Sequence, residues 1–260
     1  MLPIITVRML RSFLYRFTQS QQKLSRLFDR LLPLDCQVDG NRDFTDNWIA
    51  PHLKTGDVIY DIGGGKNPIV TIEDKQRLGL RVAGLDIDSG ELAASPSGAY
   101  DETICADITE FRGDSNADLV ICQALLEHVK DSEAALRAIA SILKPGGTAL
   151  IFLPSRNAVF ARINLLLPHA LKRKILYTVF PFTERNQGFP AYYDRCTPGD
   201  FRRLASSSGL AVDLCKPYFR SSYFTFFFPL HFAWRMWLLT FRFLAGEQAA
   251  ETFSLILRKV

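Results

Sequence analysis

Between residues 58 and 153, short apolar runs alternate with helical patterns, and the first run ends in three glycines: Val58-Ile-Tyr-Asp-Ile-Gly-Gly-Gly65. A β-branched run cut off by residues that tolerate positive φ reads as a buried strand and a tight turn. Further strands are predicted at Arg81–Asp86, Thr103–Ala106, Asp118–Cys122 and Thr148–Leu153. Asn67 followed by Pro68 predicts a helix start after the first strand. Asp131 or Ser132 predicts the cap of another helix, with Leu136, Ile139, Ala140 and Leu143 on one face and Lys144-Pro-Gly-Gly147 as its stop. Strands separated by helices need crossover connections, which makes a parallel, doubly wound α/β sheet. Runs at Leu210–Cys215 and Thr252–Leu257 bring the strands to seven.

Apolar residues make up 48% of the 260 residues, enough for a sizeable core and too many for a disordered chain. Charge is distributed unevenly. Residues 40–154 carry a net −8, and the segments flanking them sum to +12, which points to contact with something anionic. Cys36, Cys105, Cys122, Cys196 and Cys215 are scattered without a C-x-x-C pair, so neither a disulfide framework nor a zinc site is expected. Unpaired thiols suit a cytoplasmic setting. Met1–Val7 is too short for a secretory signal, and no run of about 18 uncharged apolar residues exists to cross a bilayer.

The flanks have characters of their own. In residues 4–32, Leu10, Phe13, Leu14 and Phe17, then Leu24, Leu27, Phe28 and Leu31, recur at helical spacing among six basic residues. Two readings stay open: a basic amphipathic helix on a membrane surface, or a helix covering the domain. Residues 155–198 form a basic, aromatic insertion, after which Thr197-Pro-Gly-Asp200 is a variant capping box. Tyr218–Leu244 is densely aromatic, with Trp234, Trp237 and eight phenylalanines. It leaves and re-enters one sheet, so it cannot cross a bilayer once. Interfacial membrane attachment, a buried helix and a homodimer interface are the alternatives.

The glycine loop is neither a dinucleotide fingerprint, because Pro68 occupies the third glycine position, nor a P-loop, because no Gly-Lys-Ser/Thr follows. Asp61, two residues before Gly63, suits a cationic ligand rather than a pyrophosphate. Asp61-Ile-Gly-Gly-Gly65 resembles motif I of the class I S-adenosylmethionine (SAM)-dependent methyltransferases. Gly84-Leu-Asp-Ile-Asp88, Ala106-Asp-Ile108, Leu125-Leu-Glu-His-Val129 and Leu143-Lys-Pro-Gly-Gly147 follow in that family's order. Gly64 stands where the family commonly has Cys or Ala, and Lys66-Asn-Pro68 replaces the usual continuation.

The resemblance implies a seven-stranded Rossmann-like methyltransferase sheet with its last strand antiparallel, over residues 40–260. The insertions at 155–198 and 218–248 would interrupt it, and basic helices over 1–39 would precede it. It implies SAM as cofactor: Gly63 and Gly65 along the methionine part, Asp61 near its amino group, Asp86 and Ile87 at ribose and adenine, Asp107 and Ile108 at the adenine. Gln123 and Ala124 would end the fourth strand beside the ligand. His128 is the candidate catalytic base, and Glu127 would orient it or bind a metal. Tyr192, Tyr193, Asp194 and Arg195 would close over the acceptor. Cys122-Gln-Ala-Leu125 lacks the motif of nucleic-acid amino methylation, and Lys172-Arg-Lys174 is too short a cluster for nucleic-acid binding. The expected reaction is methyl transfer to oxygen of a small-molecule, lipid or lipid-linked glycan acceptor at the cytoplasmic face of a membrane. The other readings are a soluble small-metabolite methyltransferase, whose aromatic insert dimerises, and a non-catalytic SAM-binding scaffold.

Overall fold

A computed structural model describes residues 4–166, 189–220 and 224–260, the side chains of residues 4–12 excepted. The Lys172–Lys174 cluster and half of the first insertion lie outside the described residues. Seven strands form one sheet: β1 Val58–Ile62, β2 Arg81–Asp86, β3 Glu102–Cys105, β4 Ala117–Gln123, β5 Leu143–Pro154, β6 Leu210–Tyr218 and β7 Thr252–Lys259. Their order is β3-β2-β1-β4-β5-β7-β6. β1 to β5 are mutually parallel, and β7 runs antiparallel to both β5 and β6.

Both faces of the sheet are covered, so the central strands are apolar at nearly every position. In β4, Val120 and Cys122 join one core cluster with Leu136, Ile139 and Phe201; Leu119 and Ile121 join the opposite one with Phe44, Trp48 and Val82. The helices are α1 Ile4–Asp29, α2 Gly40–Asp43, α3 Ile49–His52, α4 Ile72–Leu78, α5 Ser89–Ala93, α6 Ser132–Ile142, α7 Val159–Leu166, α8 Pro198–Ser207 and α9 Phe228–Ala245. A π-helical stretch, Phe44–Trp48, joins α2 to α3. Asp131 caps α6 by accepting from the N–H groups of Glu133 and Ala134, and Thr197 caps α8 by accepting from Asp200 N–H.

Two local expectations need correcting. No helix starts at Pro68; α4 begins at Ile72 and is capped by Thr71. The cause is Asp61, whose Oδ2 accepts the Ile69 N–H at 2.8 Å, while Asn67 N–H bonds Gly64 O, so residues 64–69 turn back over the strand end. Lys144-Pro-Gly-Gly147 is not only a helix stop. It lies within β5, where Ala117 pairs with Leu143 and the register then shifts at a bulge to Leu119 and Thr148.

The antiparallel β7 determines where the aromatic segment goes. Thr252 pairs with both Pro154 and Tyr218, so the connection from β6 to β7 emerges at the carboxyl edge of the parallel strands. That connection contains α9, which packs on α1. Asp29 of α1 sits 3.0 Å from both His231 Nε2 and Arg235 Nε, all three residues being buried. The Arg235 guanidinium also donates to the backbone carbonyls of Cys36 and Phe219. Buried charges persist only when paired in this way. No described helix is long and apolar enough to cross a membrane.

The segment over 40–52 is fastened to β6 through Asp43. Its carboxylate accepts from Lys216 Nζ (2.8 Å), Tyr218 OH (2.6 Å), Trp48 Nε1 (3.2 Å) and Asn47 Nδ2 (3.0 Å). Burial opposes ionisation, but the Lys216, Tyr218 and Asn47 bonds outweigh it and hold the pKa down at about 2. A depressed acid stabilises the fold above its unfolded pKa and loses that contribution as pH falls through its folded value. Asp43→Asn is therefore expected to cost about 2 kcal/mol in urea denaturation at neutral pH. The deficit should shrink as pH drops from 4 toward 2; a deficit independent of pH would assign the effect to packing alone.

Candidate active site

The carboxyl ends of β1, β2 and β4 converge where the chain carries its acids and glycines. Gly63 has φ of 79° and its N–H bonds Leu85 O at 2.8 Å, tying the loop to the end of β2. A side chain at Gly63 would strike Leu125 Cδ1, and one at Gly65 (φ 48°) would meet Asp86 Oδ2 at 3.1 Å. The loop, the end of β2 and the β4 turn thus approach to within one carbon atom of each other, a cradle that only glycine permits.

Asp61 is 3% exposed. Its Oδ2 accepts from Ile69 N–H and from Tyr100 OH at 3.1 Å, and Tyr100 OH also reaches Gly65 O at 3.2 Å. In this geometry the Asp61 side chain braces the loop from beneath. Tyr100 was not singled out in the sequence. Its ring lies against Gly84, and its hydroxyl occupies the space that a side chain at residue 64 would need. The signal was Gly64 itself: a glycine where the family carries Cys or Ala leaves room for a hydroxyl supplied from elsewhere.

Burial pushes the Asp61 pKa up to about 6, the nearby Asp86 adds to this, and the Ile69 and Tyr100 bonds oppose it. Asp86 is likewise raised, first by burial and then by Asp88 and Glu91. Its Oδ1 accepts Asp88 N–H at 3.0 Å. Lys66 of the loop pairs with Glu91 at 3.0 Å. Asp86 and Glu91 flank Gly65 and Asp61 lies against Gly64, acidic surroundings that favour a ligand carrying positive charge. Ile87, beside Asp86, is 56% exposed, an apolar surface at the strand end. Asp107 Oδ1 accepts from Thr109 N–H and Thr109 OH, both at 2.8 Å. Ile108 is buried in the core with Tyr60 and Leu85, so its contact with any ligand is limited to an edge.

Gln123 closes β4 and donates through Nε2 to Asn41 Oδ1 at 2.7 Å, bridging to the segment over 40–52. Ala124 follows in the left-handed region, φ 52°, held by its N–H bond to Phe152 O. Such a conformation costs a non-glycine residue about 1 kcal/mol and turns the chain sharply. The turn leads to Leu126–His128, a short 3-10 helix. His128 Nδ1 is 3.0 Å from Pro190 O. A carbonyl can only accept, so Nδ1 carries a proton, and in the neutral ring Nε2 is the acceptor. Nε2 is 3.7 Å from Glu127 Oε1. Glu127 is buried, its Oε2 has no hydrogen-bond partner among the described residues, and burial pushes its pKa up to about 7.

The described end of the first insertion docks on this turn. The N–H groups of Tyr192 and Tyr193 both donate to Glu127 O, at 2.8 and 2.9 Å. Asp194 accepts the Ser132 N–H, and Arg195 pairs with Asp131 and Glu133 at 3.1 Å. Tyr193 is buried and Tyr192 is exposed, with Lys130 over its ring. Among the described residues no three His, Cys, Asp or Glu side chains cluster as a metal site would require.

Comparison with known proteins agrees with this fold. Residues 60–151 match the model of a family described as a methyltransferase domain. Curated relatives include the ubiquinone biosynthesis O-methyltransferases of Cupriavidus pinatubonensis, 28% identical over 60% of this chain and 60% of that protein, and Aeromonas salmonicida, 27% identical over 60% and 64%. The chain thus spans less than two thirds of the length of the curated relatives it matches. Among solved structures, the [4+2]-cyclase SpnF superposes with a TM-score of 0.53 at 13% identity, covering 92% of this chain and 96% of that one. A putative methyltransferase solved with the Haloferax volcanii Trm112 activator gives 0.51 at 17%, covering 79% and 84%. These likenesses concern the fold, which hosts more than one chemistry. Motif order, sheet order and family match agree: residues 60–151 match a methyltransferase domain and lie in a sheet of Rossmann-like order.

Proposed function

We propose that the protein transfers a methyl group from SAM to an oxygen of a small-molecule or lipid-type acceptor. The observation that carries this reading is the convergence, at one sheet edge, of a glycine cradle set among Asp61, Asp86 and Glu91 with a histidine whose Nε2 is the acceptor in the neutral ring. The residues fit the cofactor: Gly63 and Gly65 leave the space a Cβ would fill, and the acidic surroundings suit its ammonium and sulfonium charges. Gly63, Gly65, Asp86 and Ile87 would hold it, with Asp61 supplying negative charge from beneath the loop. When bound, SAM supplies a methyl carbon already activated for displacement.

The chain's own work is positioning and proton handling. His128 Nε2 receives the proton of the acceptor hydroxyl as that oxygen becomes nucleophilic. Glu127, 3.7 Å away, offsets the imidazolium charge when it is ionised. Oxygen as the methylated atom is supported by the relatives named as O-methyltransferases. The docked segment over 189–195 encloses the acceptor side of the turn.

SAM titrated by calorimetry is expected to bind with micromolar affinity, and Asp86→Ala should weaken it at least about tenfold, the loss of roughly one strong hydrogen-bonded contact. Binding should also weaken below pH 6, where Asp61 takes up a proton. Asp61→Asn should flatten that dependence. Absence of binding to the folded protein would overturn the reading.

His128→Asn should lower kcat by about 10²–10⁴-fold while leaving SAM affinity nearly unchanged. A variant with full kcat would remove His128 as the base. Glu127 gives an independent readout. Its folded pKa, about 7, lies above the ordinary 4.5, so its contribution is fully present below pH 4.5 and is lost as pH rises to about 7. Glu127→Gln is expected to be more stable than the parent by about 1–3 kcal/mol at pH 8, yet less active. Lower stability at pH 8 would show that the carboxylate is satisfied in the fold.

A further inference from the structure

The helix α9 is amphipathic with the sense reversed. Its ionisable side chains are engaged by the fold: His231 and Arg235 are buried against Asp29, and the part-buried Arg242 pairs with Asp35. Its outward stripe runs through Leu230, Ala233, Met236, Trp237, Phe243 and Leu244, all exposed, and carries no charged residue over the helix's 18 positions. Trp237 is 56% exposed and Phe243 89%. Soluble proteins rarely leave an apolar surface this continuous uncovered. Phe226 and Phe227, just before the helix, are exposed as well.

Beside this stripe lies α1. Its exposed charges among the described side chains are Arg16, Lys23 and Arg26, followed by Arg30, and the only acid in the helix, Asp29, is buried in the ion pair with α9. Leu24, Leu27 and Leu31 are exposed between those cations. An apolar stripe containing Trp and Phe, bordered by cations and without an exposed acid in either helix, matches the interface of an anionic membrane. There rings settle among the headgroups and long basic side chains extend to phosphates. A second copy meeting this face across a two-fold axis would bring the same cations together, with no acid on either helix to receive them.

We propose that the outer face of α9 and the adjoining basic face of α1 dock on a bilayer containing anionic phospholipid. The helix lies in the interface plane, since its ends return to one sheet edge and it is not a span. That edge is the carboxyl edge: Thr252 pairs with Pro154, and Val159, just beyond β5, packs in the same cluster as Trp234 and Leu238. Docking therefore brings the end of the sheet that carries Asp61, Asp86 and Gln123 toward the lipid. The purpose of this arrangement rests on the proposed methyl transfer: an acceptor dissolved in the bilayer reaches the site from the headgroup layer.

The test is flotation of the full chain with vesicles of phosphatidylcholine alone and with about one quarter phosphatidylglycerol, at low and high salt. Flotation is expected with the anionic vesicles, at least about tenfold above the neutral ones at low salt, and reduced but not abolished at high salt. The double variant Trp237→Glu/Phe243→Glu should lose it while keeping the parent's melting temperature and SAM affinity, because both side chains are exposed. No flotation, or equal flotation of parent and variant, overturns the proposal. A dimer in sedimentation that the variant dissolves, with no vesicle binding, would assign the face to a second copy and also overturn it. Calorimetry with SAM judges the methyltransferase reading separately, so either can fail without the other.

Discussion

A carboxylate at the end of a buried strand must find donors, and Asp61 is the one on which this site depends. It sits on β1, the central strand of the parallel block, paired with Gly84 on one side and Ile121 on the other. Its oxygen collects the Ile69 N–H and the Tyr100 hydroxyl, and those two bonds decide the path of the glycine loop. Tyr100 in turn needs Gly64 and Gly84 to be side-chain free. Three elements distant in sequence are thus locked by one buried charge, whose raised pKa reflects a desolvation that the hydrogen bonds only partly offset.

The same logic, a buried charge fastening a segment, recurs twice. Asp43 ties the helical run over 40–52 to β6, and Asp29 ties α1 to α9. Removing one partner of such a contact is costly, because the other is left buried without its counterpart. At the catalytic end the balance differs. Glu127 keeps an oxygen without a partner among the described residues, and Ala124 keeps a left-handed backbone. Uncompensated features gather where a ligand is expected to supply what the fold withholds.

Much of the fold was legible in the sequence, for physical reasons. β1 and β2 begin and end as expected, because strands buried on both faces are continuous apolar runs and their limits are breakers. Asp131 and Thr197 announced their helices because capping is local chemistry. The misses involve partners far away in the chain. Asn67-Pro68 reads as a helix start, and Asp61 overrides it; the start of β5 depends on pairing with Ala117 across a bulge. Tyr100 has no motif around it and acquires its place only once Gly64 and Gly84 are side by side. The aromatic segment looked interfacial or buried. Which of its residues face inward followed only from Asp29, on a helix 200 residues earlier.

The connection between β6 and β7 has a further consequence. Because these strands are antiparallel neighbours, the chain between them needs only to leave and return within one strand spacing. Its length and chemistry can therefore change without moving a single register in the core. Such a junction behaves as a cassette position: natural variation there can re-address the same catalytic body to a different compartment surface, and an engineer could exchange the segment while leaving the cofactor cradle intact.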